Sequence, residues 1–427
     1  MNEEGSLLAR LDFDSYRPSQ KQFHEGTTPE DAVESRFFYN KKKFPWSAKH
    51  WEVCTASSFN KSVKYHINHN FHILLCSVLR IKLPRIEVAE KWTERVRVCW
   101  PINVGLNIVE QANLSFGTKP AQTINDIWLN IYLQYFVDKQ DLFSEMIGNR
   151  KGLQDWKENH EEAYLNIPQP WCYNPSQVCS LKLLLCKNSP VTHDYRFRDV
   201  KSLLRIQMLK DGKWEYIAYN KDYFVGTQEE LNIPTPELWA GYSYIDNIET
   251  TVSESLKKEW IYSISIKENS KIIPSSMPVR NRLQTDKECS AIFWVAQNDA
   301  AKSNKQYSNF TNNPEDIYNG DNPFKTMNLL YGEDKRVRDK PADLSSELEM
   351  YYNAKSRDIH KGYNMHAIAY NIHDIDHDIG VVMKELNAEI VLDLKEDENE
   401  VKQIYNIYVV CQVKVELEYK NGVCHVN

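Results

Sequence analysis

The sequence predicts a mainly β protein built from more than one compact unit, and three observations carry that reading. Apolar residues recur in steps of two over several segments rich in β-branched and aromatic side chains, the pattern of strands with one buried face. Helical signals are few and local. The chain has 427 residues, more than one ordinary core organises, so two or three units are expected.

Taken in order, Val63, Tyr65 and Ile67 open a first strand, expected to run on through His72, and Val96, Val98 and Trp100 mark another. Ile124, Ile127, Trp128, Ile131 and Tyr135 recur at helical spacing behind Thr123 as a candidate cap, which predicts a helix over 124–136. A second helix is expected over 251–258. Residues 138–162 and 296–324 are rich in Asn, Lys, Asp and Glu and read as long surface excursions, a length usually tied to contacts or function. Near the end, 404–410 and 413–419 read as two consecutive strands with Cys411 and Gln412 between them. The acidic run EDENE, 396–400, reads as a solvated hairpin tip ahead of them. No internal sequence repeat is visible.

Composition narrows the class. Hydrophobic residues make up 42% and aromatics 12%, enough to fill real cores, which disordered chains lack. The longest strongly apolar stretch, 73–79, falls far short of the ~18 residues of a membrane span. The opening MNEEGS is acidic where a signal peptide is basic, so a soluble, unsecreted protein is expected. Nine cysteines without a CxxC pair predict free thiols in a reducing compartment. A net charge of -7 without a basic arm speaks against direct nucleic-acid binding. The one basic run, Lys41-Lys42-Lys43, reads as a solvated face, with acidic lipid or a partner as the alternative.

No motif announces catalysis. GxGxxG, GxxxxGK[ST] and GxSxG are all absent, and such loops need glycine where backbone meets a phosphate or turns through positive φ. His373, Asp374, Asp376, His377 and Asp378 crowd into NIHDIDHDIG, but the calcium-loop echo lacks its glycine and its closing glutamate, so a polar loop is the expectation. His66, His69 and His72 alternate faces on a strand and cannot close around one ion. Cys172, Cys179 and Cys186 recur every seven residues among prolines and read as small buried hydrophobes. No catalytic, cofactor-binding or metal residue is assigned, and no cofactor is expected. Three Asn-x-Ser/Thr sequons, at Asn309, Asn60 and Asn113, are candidate glycosylation sites, with Asn309 expected to be accessible in its polar excursion.

Read in order, several stretches resemble successive landmarks of the major capsid proteins of nucleocytoplasmic large DNA viruses. SRFFYNKKKFPW (35–46) is similar to the family's aromatic and basic N-terminal segment. FNKSVKYHINHNFHILLCSVLRIKLP (59–84) is similar to its first strand pair. IVEQANLSFGTKPAQTINDIWLNIYLQY (108–135) resembles the strand, glycine turn and tryptophan-bearing helix that follow, and AYLNIPQPWCYNPS (163–176) a later strand and turn. LWAGYSYIDN (238–247) is similar to the strand closing the first jelly roll, EWIYSISI (259–266) stands where the second begins, and 336–371 with the terminal strands resembles the C-terminal quarter. The family's glycine-rich turn is replaced here by FGTKPAQ (116–122), and a family apolar stretch by 176–195, which marks a divergent member.

The resemblance implies an all-β fold of two tandem eight-stranded jelly rolls, with a few short helices and long surface loops. It implies an N-terminal arm over 1–33, a first jelly roll over 34–247, a linker over 248–257 and a second jelly roll over 258–427. It further implies a structural, non-enzymatic capsid protein of the virion, made in the host cytoplasm. Homotrimeric, pseudohexagonal capsomers would tile an icosahedral shell, with neighbouring capsomers, minor capsid and penton proteins and an internal viral membrane as partners. Two alternatives stand beside it: a minor capsid or membrane-scaffold protein of the same fold, and a carbohydrate-binding or carbohydrate-active β-sandwich, for which 11 Trp and 24 Tyr would supply stacking surfaces.

Overall fold

The structure, a computed structural model, describes residues 49–59, 62–173, 180–245, 258–275, 277–355, 360–373, 380–396 and 403–427. Most of its strands fall into two sets that share no sheet, alongside a three-stranded sheet of Val96–Cys99, Arg205–Lys210 and Lys213–Tyr216 and a two-stranded sheet of Ile86–Glu87 and Asn159–His160. The first set comprises β1 (His50–Val53), β2 (Thr55–Phe59), β3 (Ser62–His66), β4 (Ile73–Leu83), β5 (Val109–Phe116), β6 (Lys119–Asn125), β7 (Ala163–Pro168), β8 (Val191–Phe197) and β9 (Glu237–Ser243). They form two facing antiparallel sheets in the orders β1-β9-β4-β7 and β2-β3-β8-β5-β6.

The second set comprises β10 (Lys258–Ile272), β11 (Val279–Arg282), β12 (Glu288–Asn298), β13 (Phe324–Tyr331), β14 (Asp334–Pro341), β15 (Asn364–Ala367), β16 (Ala388–Leu394) and β17 (Tyr405–Lys420), with β18 (Val423–Val426) added on the edge of β17. Their sheets run β10-β17-β12-β15 and β11-β16-β13-β14. Counted within its own set, each has one sheet in the order first, eighth, third, sixth and another in the order second, seventh, fourth, fifth; β2 is an extra edge strand in the first set. Each set is therefore an eight-stranded jelly roll. The chain repeats a topology that its sequence does not repeat, because alternation and turn placement define the strands while different side chains fill the two cores.

Alternation is clearest on β4, where Leu79, Ile81 and Leu83 point into the sandwich and Cys76, Val78, Arg80 and Lys82 point out. Tyr65, Leu114, His193 and Tyr195 meet them from the opposite sheet. In the second jelly roll alternation gives way to continuous burial: β12 is buried from Cys289 to Asn298 and β17 from Tyr405 to Val415. Ile292, Trp294, Ile407 and Val409 fill the second sandwich, whereas Phe293, Val295, Tyr408 and Val410 join the core of the first. A strand buried on both faces reads as an unbroken apolar run.

That double burial corrects the expected break at Cys411 and Gln412, since β17 is one strand of 16 residues. Other expectations shift in detail. The strand opened by Val63 stops at His66, and 67–72 form the turn into β4. The predicted helix begins two residues later, as α1 (Asp126–Phe136), because β6 continues through Asn125, whose side chain caps the Trp128 N–H at 2.8 Å. The excursion 138–162 carries two short helices, Gln140–Met146 and Lys151–Gln154. The helix expected over 251–258 lies outside the described residues up to 257, and Lys258 starts β10. The tip of the EDENE run also lies outside them; β16 and β17 flank it.

Candidate assembly surfaces

The two jelly rolls meet through one helix lying on one sheet. α1 connects the fifth and sixth strands of the first jelly roll, and its apolar face carries Trp128, Tyr132, Tyr135 and Phe136 at positions i, i+4, i+7 and i+8. The Phe293 ring, fully buried on the outer face of β12, sits among Tyr135, Trp128 and Phe136 at centroid distances of 5.0, 5.7 and 6.1 Å. The Tyr135 and Trp128 pairs are edge-to-face and the Phe136 pair is tilted, and an edge-to-face pair adds about 0.5–1.5 kcal/mol beyond the burial itself. β6 runs against β10 beside the helix, and the Thr123 N–H donates to Ser263 Oγ at 3.2 Å.

A polar clasp surrounds this apolar joint. Arg198 donates to Asp126 Oδ2 at 2.8 Å and to the Asn107 carbonyl at 2.6 Å, and its guanidinium lies 4.4 Å from the Tyr307 ring centre. Burial pushes the Asp126 carboxyl up, and Arg198 opposes that rise. Tyr307 reaches across to the Ser202 carbonyl at 2.7 Å, and Asn107 to Ser308 at 2.8 Å. On the far side Lys182 and Glu259 form a buried pair at 3.3 Å, joined by the Tyr419 hydroxyl at 3.1 Å. The segment 296–324 is thus an internal clasp, which corrects its reading as a surface excursion. Tyr307, Phe310 and Ile317 are buried in it. Gly362, at φ 95°, lets the chain pass Phe310, whose carbonyl oxygen lies 2.2 Å from where a Cβ would stand.

Inside the first sandwich a polar chain is enclosed. Ser77 Oγ and the Tyr173 hydroxyl are 2.9 Å apart, and Tyr173 meets His193 Nε2 at 3.0 Å. Trp171 stacks on the His193 ring at 5.1 Å. Burial pushes the imidazole down to about 3, so His193 is neutral at physiological pH. Beside the joint, a cleft of about 230 Å³ opens between Trp128, Tyr132, Trp171, Trp260, His373 and Gln412.

The residues singled out in sequence scatter through the fold. His66 lies beside Ser57 Oγ at 3.3 Å, His69 Nε2 accepts from the Val191 N–H at 3.0 Å, and His72 Nδ1 accepts from the Ile245 N–H at 3.0 Å. Two of the three thus tie loops together. His373 Nε2 meets the Asn353 carbonyl at 2.6 Å, while Asp374, Asp376, His377 and Asp378 lie outside the described residues. Among the described residues no group of three His, Cys, Asp or Glu side chains is placed to hold a metal. Cys172 is half-buried and Cys186 buried; Cys179 and the lysines 41–43 lie outside the described residues.

The sequons fare differently from expectation. Asn309 is 2% exposed, donates to the Asn313 carbonyl at 2.8 Å and accepts from the Thr311 N–H at 3.0 Å. Its accessibility in a polar excursion is therefore corrected: the amide is spent on closing its own loop. Asn113 sits mid-strand on β5, half-buried and bonded to Thr123 Oγ1 at 2.9 Å, and Asn60 lies outside the described residues.

Two surfaces went unremarked in sequence. One is the outer face of the sheet β1-β9-β4-β7, where Trp51, Val53, Cys76, Val78, Trp239 and Pro168 form an apolar strip. The Trp51 indole crosses β9 at Gly241, where an added Cβ would stand 3.6 Å from it and 2.8 Å from Cys76 Sγ. The other is α2, a π turn Leu344–Leu348 continuing as the helix Glu349–Asn353. Asp343 caps it, and Glu349 anchors its inner side to Lys340 and His366. Its spacing of Leu344, Leu348 and Tyr351 was the available signal.

The family model described as "Major capsid protein N-terminus" matches residues 38–246. The chain is 20% identical over 346 residues to the major capsid protein of Invertebrate iridescent virus 3, covering 75% of this chain and 73% of that one. Its fold is similar to that of PBCV-1 VP54, solved by crystallography and fitted into a reconstruction of the virophage Sputnik. The TM-score is 0.69 at 11% identity, over 91% of this chain and 98% of that chain. It is similar also to the Faustovirus major capsid protein, with a TM-score of 0.67 at 8% identity over 98% of both chains. With a family match that ends at the close of the first jelly roll, and a similarity of fold that continues through the second, the chain resembles the double jelly-roll major capsid proteins of large DNA viruses at low identity.

Proposed function

We propose that this chain is a structural shell protein that works as a homotrimer. Three copies form a pseudohexagonal capsomer, and capsomers tile an icosahedral virus shell. The observation that carries this reading is the repeated strand order: one chain supplies two similar wedges side by side, held by α1 on β12. Three such chains supply six wedges, which suits a near-hexagonal block in a lattice. Apolar burial holds each block together, and polar outer loops meet neighbouring capsomers, minor capsid and penton proteins and an internal membrane. The role needs no cofactor and no catalysis. The domain limits 34–247 and 258–427 go with this reading, with 1–33 as an arm.

Solution mass and electron microscopy of the purified chain test the proposal. The expected result is a particle of 3 × 50.1 kDa, about 150 kDa, with a hexagonal outline. A stable single chain of 50.1 kDa would sink it. A minor shell role of the same fold is separated by copy number in virions.

A further inference from the structure

The joint inside the chain has an unmade counterpart on its outside. In the second jelly roll, the row Ile266–Val410–Phe293–Met365 crosses the outer face of the sheet in the strand order first, eighth, third, sixth, and α1 lies over its centre. In the first jelly roll, the row Val53–Trp239–Val78–Pro168 crosses the corresponding sheet in the same order and on the same outer face. Every member of both rows is apolar. Phe293 and Val410 are fully buried under α1, whereas Trp239 and Val78 are half-exposed, and the neighbouring Trp51 and Val53 are 48% and 42% exposed.

The helix half of the joint is also duplicated. α2 follows the fifth strand of its jelly roll and precedes the sixth, as α1 does in the first. It presents Leu344, Leu348, Tyr351 and Tyr352, again at i, i+4, i+7 and i+8, and again with two aromatics at the last two positions. Trp128 and Tyr135 of α1 are buried, while Tyr351 and Tyr352 are 80% and 73% exposed. The buried side of α2 carries Ser345 and Met350, and Met350 joins the core that holds Tyr135 and Phe293. Asp343 and Glu347 flank the exposed face of α2, and Lys49, Arg80 and Glu237 flank the apolar strip on the sheet, where Glu237 accepts from the Trp239 Nε1–H at 2.9 Å.

We propose that α2 of one copy docks on the outer face of β1-β9-β4-β7 of a second copy, through Leu348, Tyr351 and Tyr352 against Trp51, Val53, Val78 and Trp239. This joint repeats between chains the one that α1 and Phe293 make within a chain. It is head-to-tail, since the two surfaces differ, and it closes into a ring of three chains when one inner and one outer joint together turn the chain through about 120°. The inference rests on the trimer reading and adds which faces make the trimer.

Two variants and their mixture test it. Leu348→Asp with Tyr351→Asp breaks the helix half, and Trp51→Glu with Val53→Glu breaks the sheet half; all four positions are exposed, and circular dichroism verifies the fold. Each variant alone is expected at 50.1 kDa, where the wild type is trimeric. Mixed one to one, they keep a single intact joint and are expected at 2 × 50.1 kDa, about 100 kDa, with no further growth. A trimeric wild type with a helix variant that is also trimeric overturns this joint and leaves the trimer standing. A sheet variant that dissociates while the helix variant does not also overturns it, and assigns the strip to another occupant such as residues 1–48. Failure of the mixture to dimerise overturns the head-to-tail geometry. A monomeric wild type overturns the trimer reading itself.

Discussion

Replacing Phe293 by alanine tests the inner joint directly. The ring is fully buried, touches three aromatic rings of α1, and lies on a strand whose next residue, Trp294, faces the opposite core. Phenylalanine truncation in a core costs about 3–5 kcal/mol, and the figure depends on how far the neighbours can collapse into the void. Here they have little room. α1 is pinned at its start by the Asn125 cap and the Arg198–Asp126 pair, and in its middle by Asn130, which bonds Asn107 at 3.0 Å and the Asp126 carbonyl at 2.9 Å. A helix so fixed cannot drop toward β12, so the cost belongs in the upper half of the range, about 4–5 kcal/mol. Urea denaturation followed by tryptophan fluorescence measures it at pH 7 on the monomeric helix variant Leu348→Asp/Tyr351→Asp, where subunit exchange does not contribute. A loss below about 1 kcal/mol would mean that α1 does not rest on Phe293, and both the inner joint and its proposed external copy would lose their basis.

Two other outcomes are expected. Folding lowers the His193 pKa from its ordinary 6.5 to about 3, so the unfolded chain takes up this proton first and the stabilisation, complete above pH 6.5, is lost as pH falls toward 3. Between pH 7 and pH 5 the loss is about 2 kcal/mol, and His193→Gln should flatten the fall by that amount in parallel urea titrations; superimposable pH slopes would refute the assignment. Burial pushes the thiols of Cys54 and Cys99 up to about 11 and that of Cys289 well above its ordinary range with Cys411 adding to the rise, while the neighbouring Cys424, followed by burial, raises Cys186 likewise. Alkylation of the native protein at pH 7.5, read by peptide mass spectrometry, should therefore reach half-buried Cys172 and Cys76 well before these four; equal labelling would contradict the burial.

Much of the β architecture was legible because one-sided strands alternate. Val63 and Tyr65, and Val96 and Val98, lie in strands where the period of two placed them, whereas the strand around Leu238 was placed by the resemblance. Legibility failed where a second layer covers the outer face. β17 was split at Cys411 because both faces of that sheet are buried, and periodicity then carries no phase. The polar stretch 296–324 misled for a related reason. Its Asn and Gln side chains do not face water but satisfy one another and the backbone of a folded loop, as the Gln306 amide does with the Pro314 and Glu315 carbonyls at 3.0 and 3.1 Å. α2 was missed because an apolar face only 10 residues long, with two tyrosines, is weak as a helix signal alone. It becomes readable once set beside α1, which sits between the same two strands of the other jelly roll.

That pairing bears on why the second jelly roll buries both faces of its sheet while the first leaves one open. A chain with two wedges has two joints to make, and only one of them can be internal. The internal one can be made permanent with large rings, such as Trp128 and Phe293, together with buried ion pairs, because it forms once during folding and never exchanges. A joint made between copies must stay soluble before assembly, and its halves are built accordingly. The helix half carries Leu344 and Leu348 in place of Trp128 and Tyr132, and Tyr352 in place of Phe136, while the sheet half carries Val78 where the internal joint has Phe293 and Trp239 where it has Val410. Tyrosine keeps a polar tip in water while offering its ring to a partner, and a few half-exposed valines and tryptophans form a patch small enough to avoid indiscriminate aggregation. The difference between the two joints is then the difference between a fold and an assembly: the same strand order and the same helix spacing, with a less aromatic helix half on the side that has to wait for a partner.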